Sequence, residues 1–296
     1  MTIFNLGSIN LDYFYQVPHL PQAGETLATT RYHSGLGGKG ANQSVAIARG
    51  GGKVVHIGNI HHGDTHHLAL LEQAGVDLRH VEKSDIPTGH AIVIVEDDTA
   101  ENQILLMQGA NIAVTKQMIE AALQEAGPHD WALTQNETNL GEHFLHAAKH
   151  KGLQICYSAA PFVKQTVLSL LPIVDLLVVN EGEAHDISEA VAKAPDEWGI
   201  PHVIITKGAD GAYYYGKDGA HYVPSHKVEA IDTTGAGDTY LGFLLAGLSK
   251  GQSMKEAMQI AASAAAIQVT RSGTASAIPS IDEIAHLDGA GDKAGK

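Results

Sequence analysis

The segment Asp232-Thr-Thr-Gly-Ala-Gly-Asp238 carries the strongest chemical signal in the sequence. It leads into the apolar stretch 239–248, a pattern typical of a helix that begins at the glycines. Glycines at a helix start leave backbone N–H groups uncovered, and the positive helix end favours an anion. A carboxylate there would repel phosphate, but Asp238 is suited to take a proton from a hydroxyl while nearby N–H groups stabilise a transferring phosphoryl group. The alternative is a tight turn in which Asp238 only caps the helix.

A second glycine-rich stretch, Gly35-Leu-Gly-Gly-Lys-Gly-Ala-Asn42, contains the dinucleotide-binding pattern G-x-G-x-x-G. No buried strand precedes it and no acidic residue closes the next strand, so the match to that motif is weak. It is not a Walker loop either, because Lys39 is followed by Gly40. We interpret the stretch as a donor-rich loop at a helix start, where Lys39 and Asn42 can bind a polyhydroxyl ligand. A simple glycine-rich connector is the alternative.

A histidine cluster follows at His61, His62, His66 and His67, with Asp64 among them. Imidazoles and a carboxylate in one loop are possible zinc ligands. Their spacing, however, matches no ligand pair on a defined element, and a solvated loop is the favoured interpretation.

The elements that must position these residues follow from hydrophobic periodicity. Strands are predicted at 2–7, 53–58, 131–135, 153–157, 174–179 and 202–206, with a β-ribbon from 212–216 and 220–224. Helices are predicted at 41–49, 68–74, 115–126 and 141–151, from residue 235, and from near Ser253, which has capping-box spacing to Glu256. Alternation of strands and helices indicates a largely parallel sheet covered on both faces.

Four extended segments, 13–17, 26–33, 89–96 and 102–107, have no helices between them and predict a small β lid. We therefore expect an α/β body formed by residues 1–12, 34–86 and 108–287, and a lid formed by 13–33 and 87–107. Residues 288–296 are rich in Gly and Lys and are expected to form a disordered tail.

Composition narrows the class of protein. The formal net charge of −14 over 296 residues argues against a nucleic-acid partner. No apolar run reaches the about 18 residues that a membrane helix needs, and no secretion signal is evident. Cys156 is the single cysteine, which excludes an intramolecular disulfide. We expect a cytoplasmic protein.

Five motifs occur in a characteristic order: Gly7-Ser-Ile-Asn-Leu-Asp12, Gly37-Gly-Lys-Gly-Ala-Asn42, Asn180-Glu-Gly-Glu183, Thr206-Lys-Gly-Ala-Asp-Gly211 and Asp232 to Asp238. In this order the chain resembles the ribokinase-like (PfkB) carbohydrate kinases from about residue 3 to residue 285. The resemblance implies a three-layer α/β/α body with a mostly parallel central sheet and a small β-strand lid. It also implies transfer of the γ-phosphoryl group of ATP to a primary hydroxyl of a pentose, with D-ribose as first choice and ribose 5-phosphate as product.

Roles are implied by position in the motifs. Asp238 would be the base, beside the main chain of Gly235, Ala236 and Gly237. The sugar hydroxyls would be held by Asn10, Asp12, Gly38, Lys39, Asn42, Glu137 and Asp238. The nucleotide would be bound by Asn180, Thr206, Lys207, Gly208, Ala209, Asp210, Gly211 and Gly237, and Glu183 would place Mg²⁺ through water. A monovalent cation such as K⁺ would be bound, mostly through carbonyl groups, at Asp232, Thr234, Gln268, Arg271 and Gly273. The lid would join two subunits in a homodimer.

Three alternatives stay open. The chain could phosphorylate a nucleoside or a different sugar, in which case lid residues such as His90 and Ile112 would have to form an apolar slot for a base. It could be a non-catalytic sugar-binding protein on the same fold, although an intact Asp238 argues against that. A nicotinamide-dependent dehydrogenase is supported only by the weak glycine pattern.

Overall fold

The computed structural model describes residues 1–97, 99, 101–217 and 219–284. The predicted tail at 288–296 and residues 285–287 of the predicted body lie outside the described residues.

The larger sheet has nine strands in the described part of the chain. They are β1 (Thr2–Leu6), β4 (Lys53–His61), β5 (Asp77–Ser84), β8 (Trp131–Thr134), β9 (Gln154–Ser158), β10 (Leu176–Asn180), β11 (His202–Thr206), β12 (Ala212–Gly216) and β13 (Gly219–Val223). The strand order is β13-β12-β11-β10-β9-β8-β1-β4-β5. Every neighbouring pair is parallel except β11–β12 and β12–β13. The carboxyl ends of β1, β4 and β8 to β11 therefore meet at one edge, where ligands bind in open α/β sheets.

Helices cover both faces of this sheet. They are α1 (Lys39–Arg49), α2 (Ala69–Ala74), α3 (Lys116–Gln124), α4 (Gly141–His150), α5 (Lys164–Leu170), α6 (Glu181–Val191), α7 (Ala236–Ser249) and α8 (Met254–Val269). One hydrophobic core joins the sheet to α1, α2, α7 and α8, and a second joins it to α3 through α6. Adjacent residues of β1 divide between the two, Ile3 in the first and Phe4 in the second, because strand side chains alternate. The predicted three-layer α/β/α fold is confirmed.

Four further strands form a separate sheet: β2 (Asn10–Val17), β3 (Arg31–Gly37), β6 (Gly89–Glu96) and β7 (Asn102–Met107). Their order is β3-β2-β6-β7, with β2 parallel to β6 and the other pairs antiparallel. This four-stranded sheet occupies the place of the predicted lid, and we call it the lid. Its strands extend beyond the predicted segment 13–33, because Asn10 pairs with Gly37.

The strand predicted at 26–33 is wrong in its bounds. The observed strand runs from Arg31, paired with Gln16, to Gly37, paired with Asn10. The first three residues of the glycine-rich stretch, Gly35 to Gly37, are therefore the end of a strand and not part of a loop. The dinucleotide pattern consequently lies at the end of a lid strand and not in a tight βαβ turn, which removes the basis for a dehydrogenase.

Strand β7 is exposed along its whole length. Ile104 is 58% exposed and Leu105 is 65% exposed, and Leu106 and Met107 are also largely exposed. An uncovered apolar edge strand of this kind is typical of a surface that pairs with another chain. Within the described residues, no helix is both long enough and apolar enough to cross a bilayer.

Candidate active site

Asp238 lies in the first turn of α7, three residues after Gly235 at the N-cap. Gly235 has φ +77°, a left-handed conformation that glycine adopts without the steric cost of a Cβ. Among the described residues, no main-chain carbonyl accepts a hydrogen bond from the N–H of Gly237 or Asp238. The N–H of Ala236, by contrast, donates to the carbonyl of Thr233 at 3.3 Å, so its predicted availability to a ligand is reduced.

The carboxylate of Asp238 is held by two amides of α1. Asn42 Nδ2 donates to its Oδ2 at 3.0 Å, and Gln43 Nε2 donates to its Oδ1 at 2.9 Å. Asp238 is only 8% exposed, and its side chain accepts from these amides and not from the helix start. The alternative in which Asp238 only caps α7 is therefore not supported.

The ionisation of Asp238 reflects opposing effects. Burial raises its pKa, while the charge of Lys39 and the two amide hydrogen bonds act to lower it. Glu137 raises it further, and the net direction is upward. A raised pKa makes the ionised carboxylate a stronger base than an exposed aspartate, and the cation and amides beside it still favour the charged form.

Lys39 lies at the first position of α1, among acidic side chains. Burial lowers the pKa of Lys39, but the charges of Asp238, Glu137 and Glu183 outweigh that effect and raise it overall. Its backbone N–H also donates to Glu137 Oε2 at 3.0 Å, an oxygen that additionally accepts from Ser8 Oγ. Lys39 therefore stays cationic between the predicted base, the predicted sugar ligand and the predicted magnesium ligand.

The sugar-binding residues predicted on β2 lie close to this group. Burial, and secondly the charge of Glu137, raises the pKa of Asp12 to about 6. The Asp12 carboxylate lies against Gly37, where a Cβ would come within 1.8 Å of Asp12 Oδ2. At Gly38, which has φ +90°, a Cβ would lie 2.9 Å from the backbone nitrogen of Asn10. Only glycines at these two positions allow the lid strand and the start of α1 to approach this closely.

Asn10 is buried and accepts a hydrogen bond from Asn111 Nδ2 at 2.7 Å through Oδ1. Asn111 in turn accepts from the backbone N–H of Ile9 at 2.9 Å. Of the predicted sugar ligands, Asn42 contacts Asp238 directly, and Lys39 and Glu137 lie near enough for their charges to act on it. Asp12 lies near Glu137, and Asn10 lies beside Gly38. Carboxylates, amides and an ammonium group are chemically suited to bind hydroxyl groups.

The predicted nucleotide residues lie at the ends of neighbouring strands, where Asn180 of β10 pairs with Thr206 of β11. Asn180 and Glu183 form a capping box: Asn180 Oδ1 accepts from the Glu183 N–H at 2.8 Å, and Glu183 Oε2 accepts from the Asn180 N–H at 2.9 Å. Burial raises the pKa of Glu183, opposed by this N–H and by Lys39. Glu183 therefore caps α6 and also faces the Lys39 and Asp238 charges.

The segment after β11 forms a short 3-10 turn at Gly208–Asp210, whose residues are exposed. Lys207 Nζ binds Glu181 Oε1 at 2.7 Å and lies over the Tyr213 ring. Gly211 has φ +86°, and a Cβ there would come within 2.3 Å of the Val223 carbonyl oxygen.

Val223 also lines a cavity of about 510 Å³ between the end of β13 and α8. The cavity is further lined by residues that include Pro224, His226, Gln259, Ala262 and Ser263. Its mixed apolar and polar walls are suited to a heterocyclic base, and Gly211, at the end of the 207–211 turn, lies beside the carbonyl of Val223 at one wall of the cavity.

Asp232 connects two parts of the loop that was predicted to bind a monovalent cation. Its Oδ1 accepts from the Thr234 N–H at 2.9 Å and its Oδ2 accepts from the Gly273 N–H at 3.1 Å. Gln268 Nε2 donates to the Thr234 carbonyl at 2.9 Å, and Gln268 Oε1 accepts from Thr239 Oγ1 of α7. The side chain of Arg271 binds Glu283 instead, so Arg271 contributes to this loop only through its main chain.

Some site residues were not predicted from the sequence. Ser8, Gln43 and Asn111 all contact predicted site residues, and Gln43 directly follows Asn42, so its position in the glycine-rich motif was the available signal. In the histidine cluster, His61 lies 3.9 Å from Asp64 and His62 lies 3.2 Å from Asp85. Among the described residues, no three potential ligands converge on a metal position.

Comparisons with known proteins agree with this geometry. The family model for pfkB family carbohydrate kinase matches residues 2–281. The chain is 36% identical to a ribokinase of Haemophilus influenzae, over 95% of this chain and 96% of that protein. It resembles the crystal structure of a Thermotoga maritima ribokinase with a TM-score of 0.84 and 30% identity, over 97% of this chain and 98% of that one. It also resembles an Arabidopsis thaliana ribokinase complexed with ribose and ATP, with a TM-score of 0.82 and 26% identity, over 97% of each chain. The chain therefore belongs to the pfkB family of carbohydrate kinases.

Proposed function

We propose that the protein transfers the γ-phosphoryl group of ATP to the primary hydroxyl of D-ribose, giving ribose 5-phosphate and ADP. The observation that carries the proposal is a buried carboxylate, Asp238, which lies in the first turn of α7, is held by two amides of α1, and is close enough to Lys39 and Glu137 for their charges to act on it. The family and the ribokinase relatives support the same chemistry.

In this mechanism Asp238 accepts the proton of the sugar hydroxyl. The hydroxyl oxygen forms a bond to the γ-phosphorus as the bond from that phosphorus to the β–γ bridging oxygen breaks, and ADP leaves. The N–H groups of Gly237 and Asp238 and the positive end of α7 stabilise negative charge on the transferred group. Lys39 contributes a positive charge close to Asp238.

Binding of the two substrates divides between the lid side and the sheet edge. Asn10, Asp12, Gly38, Lys39, Asn42 and Glu137 hold the sugar hydroxyls. The phosphates of ATP run along Asn180, Thr206, Lys207, Gly208, Ala209, Asp210, Gly211 and Gly237. The adenine base occupies the cavity lined by Ala262, which is of the size that a small-molecule site requires.

A magnesium ion fits the donor set around Glu183. One oxygen of Glu183 caps α6, and the second oxygen remains for a water shell, the mode of binding that Mg²⁺ prefers. When bound, Mg²⁺ neutralises charge on the phosphates.

A monovalent cation such as K⁺ is proposed for the loop of Asp232, Thr234, Gln268, Arg271 and Gly273. This loop contacts α7 through Gln268 and Thr239, so the cation would act by fixing the helix start that holds Asp238. The two oxygens of Asp232 accept hydrogen bonds from the N–H groups of Thr234 and Gly273. In the Asp232→Asn variant only one side-chain oxygen remains to accept from these two N–H groups. We expect this variant to lose activation by KCl relative to choline chloride.

The lid is proposed to pair two subunits through its exposed apolar strand β7, in a cytoplasmic homodimer. A nucleoside kinase is less well supported, since His90 lies edge-on against Tyr13. By strand alternation that pair is on the lid face opposite to Asp12, so His90 forms no slot beside the sugar site.

The test is a substrate panel of ribose, 2-deoxyribose, fructose and adenosine with coupled detection of ADP. We expect ribose to give the highest kcat/KM. Asp238→Asn should nearly abolish turnover while ribose binding, measured by calorimetry, is retained. A preference for adenosine would favour the nucleoside alternative. Ribose binding without ADP formation by the wild type would favour a non-catalytic sugar-binding protein.

A further inference from the structure

A continuous chain of buried hydrogen bonds leads from Asp238 into the centre of the protein. Gln43 Nε2 donates to Asp238 Oδ1 at 2.9 Å, and Gln43 Oε1 accepts from Gln135 Nε2 at 2.6 Å. Gln135 Nε2 also donates to Asn5 Oδ1 at 3.0 Å. Gln43 and Gln135 are each only 1% exposed, and Asn5 is fully buried.

The chain continues from Asn5 to a buried imidazole. Asn5 Nδ2 donates to Ser44 Oγ at 2.9 Å, and Ser44 Oγ lies 2.8 Å from His56 Nδ1. His56 Nε2 lies 3.2 Å from the carbonyl oxygen of Gly7, which can only accept. Burial lowers the pKa of His56 to about 4, so the ring is neutral near pH 7. Its proton then resides on Nε2, and Nδ1 accepts from Ser44.

These contacts admit one arrangement of the amides. The ionised Asp238 can only accept, so Gln43 must present its NH₂ group to it. The oxygen of Gln43 then needs a donor, which Gln135 supplies, and Asn5 accepts from the same NH₂ group. If the Gln135 amide were reversed, its oxygen would face two other oxygens. The order of donors therefore fixes which end of Gln43 faces the carboxylate.

We propose that Gln43 is a positioning residue, which holds the Asp238 carboxylate in the orientation needed to accept the sugar proton, and that Gln135 and Asn5 fix the direction of its amide. This inference rests on the proposed role of Asp238 as the base. Asn42, which donates to the other carboxylate oxygen, is itself among the proposed sugar ligands. Gln43 is directed inward, so its effect reaches the substrate only through Asp238.

The first test is Gln43→Met, which keeps a similar volume and removes the amide. A hydrogen bond to a charged group typically changes a rate by about tenfold to a hundredfold when it is lost, so we expect kcat to fall by that factor. The KM for ribose should change by less than about threefold, because Gln43 is not a ligand of the sugar.

The pH dependence gives a readout that a purely structural role would not move. The hydrogen bond from Gln43 lowers the pKa of Asp238. Its loss makes the carboxylate harder to ionise, and the acidic limb of the kcat profile should move to higher pH. Part of the lost kcat should return above that limb.

Two further variants complete the test. Gln135→Met removes the donor to Gln43 Oε1 and leaves the Gln43 amide less firmly held against Asp238, so it should reduce kcat and shift the acidic limb in the same direction, even if Gln43→Met does not fold. Thr134→Val is the matched control: Thr134 directly precedes Gln135 in the chain and is equally buried, and its hydroxyl donates to the Leu6 carbonyl outside the chain of amides. We expect its kcat to stay within about twofold of wild type with an unchanged acidic limb.

The proposal is overturned if folded Gln43→Met keeps both kcat and the acidic limb, if its loss lies only in KM for ribose, or if Thr134→Val has the same effect. The Asp238→Asn variant distinguishes a wrong positioning role of Gln43 from a wrong assignment of Asp238 as the base. If Asp238→Asn is inactive and both glutamine variants match wild type, only the positioning role is wrong. If Asp238→Asn retains turnover, the base itself is misassigned and the role of Gln43 falls with it.

Discussion

Asp12→Asn is expected to stabilise the protein while it weakens sugar binding. Burial raises the pKa of Asp12 from 3.8 to about 6 in the folded protein, with Glu137 as the second cause. Between these values the folded chain holds a proton that the unfolded chain has lost. The free energy of unfolding therefore has its full value from this group below the unfolded pKa, and it decreases as pH rises through 6.

The size of the effect follows from that difference. At pH 7.5 the ionised carboxylate costs about 3 kcal/mol of stability, and at pH 4.5 about 1 kcal/mol, because the folded protein is then protonated and the unfolded chain is mostly ionised. Asparagine has a similar shape beside Gly37 and never ionises, so it removes this pH-dependent cost. It also leaves a weaker acceptor for a sugar hydroxyl, and the affinity for ribose should fall by about tenfold or more.

The assay is urea unfolding of wild type and Asp12→Asn without ligand, at pH 4.5 and pH 7.5, together with calorimetric titration of ribose at pH 7.5. The stability advantage of the variant should grow by about 2 kcal/mol between the two pH values. A difference in packing between Asp and Asn contributes equally to the stability difference at both pH values. It therefore cancels when the stability advantage at pH 4.5 is subtracted from that at pH 7.5. An advantage that is equal at both pH values, or larger at pH 4.5, would refute the reasoning.

Three further predictions concern the glycine contact, the lid and the base cavity. Gly40→Ala places a Cβ 2.4 Å from Gly7 Cα, so we expect a loss of about 1–3 kcal/mol in urea unfolding; an unchanged midpoint would contradict this contact. Leu106→Asp should convert a dimer to a monomer in light scattering, whereas Val163→Asp, at an exposed site outside the lid, should not. A wild type that is monomeric at micromolar concentration would refute the lid interface. Ala262→Phe should fill the cavity and raise KM for ATP at least tenfold with KM for ribose unchanged, and the reverse pattern would move the adenine elsewhere.

Long, locally determined elements could be predicted from the sequence. The bounds of β6 and β7 match those predicted, because both strands are rich in β-branched and aliphatic residues and end at polar turns. The helix start at Ser253 is confirmed with its capping box, since the Ser-x-x-Glu spacing is itself the structural cause. The order of the glycine motifs likewise indicated the family.

Elements that depend on distant contacts were missed. The edge strand β5 buries only Val81, so it has no hydrophobic period that would reveal it. Helix α6 was missed for a different reason, since its start carries a local signal: Asn180 and Glu183 form a capping box, but the pair was interpreted only as ligand-binding residues. The role of Gln43 depends on partners 92 and 195 positions away in the chain, and no local pattern encodes such contacts. The individual roles assigned to site residues, and the division into body and lid, stay predictions.

A single residue, Gly38, connects the last residue of lid strand β3 to helix α1. Strand β3 ends at Gly37 and α1 begins at Lys39, so the chain has no slack between a sheet proposed to bind a partner subunit and the helix that carries Asn42 and Gln43. A rotation of the lid must therefore be transmitted to the first turn of α1. Mutations or ligands that alter the proposed subunit pairing should consequently change turnover at the proposed base, Asp238, which they do not touch. Inhibitors aimed at the proposed dimer surface would then be a route to this enzyme.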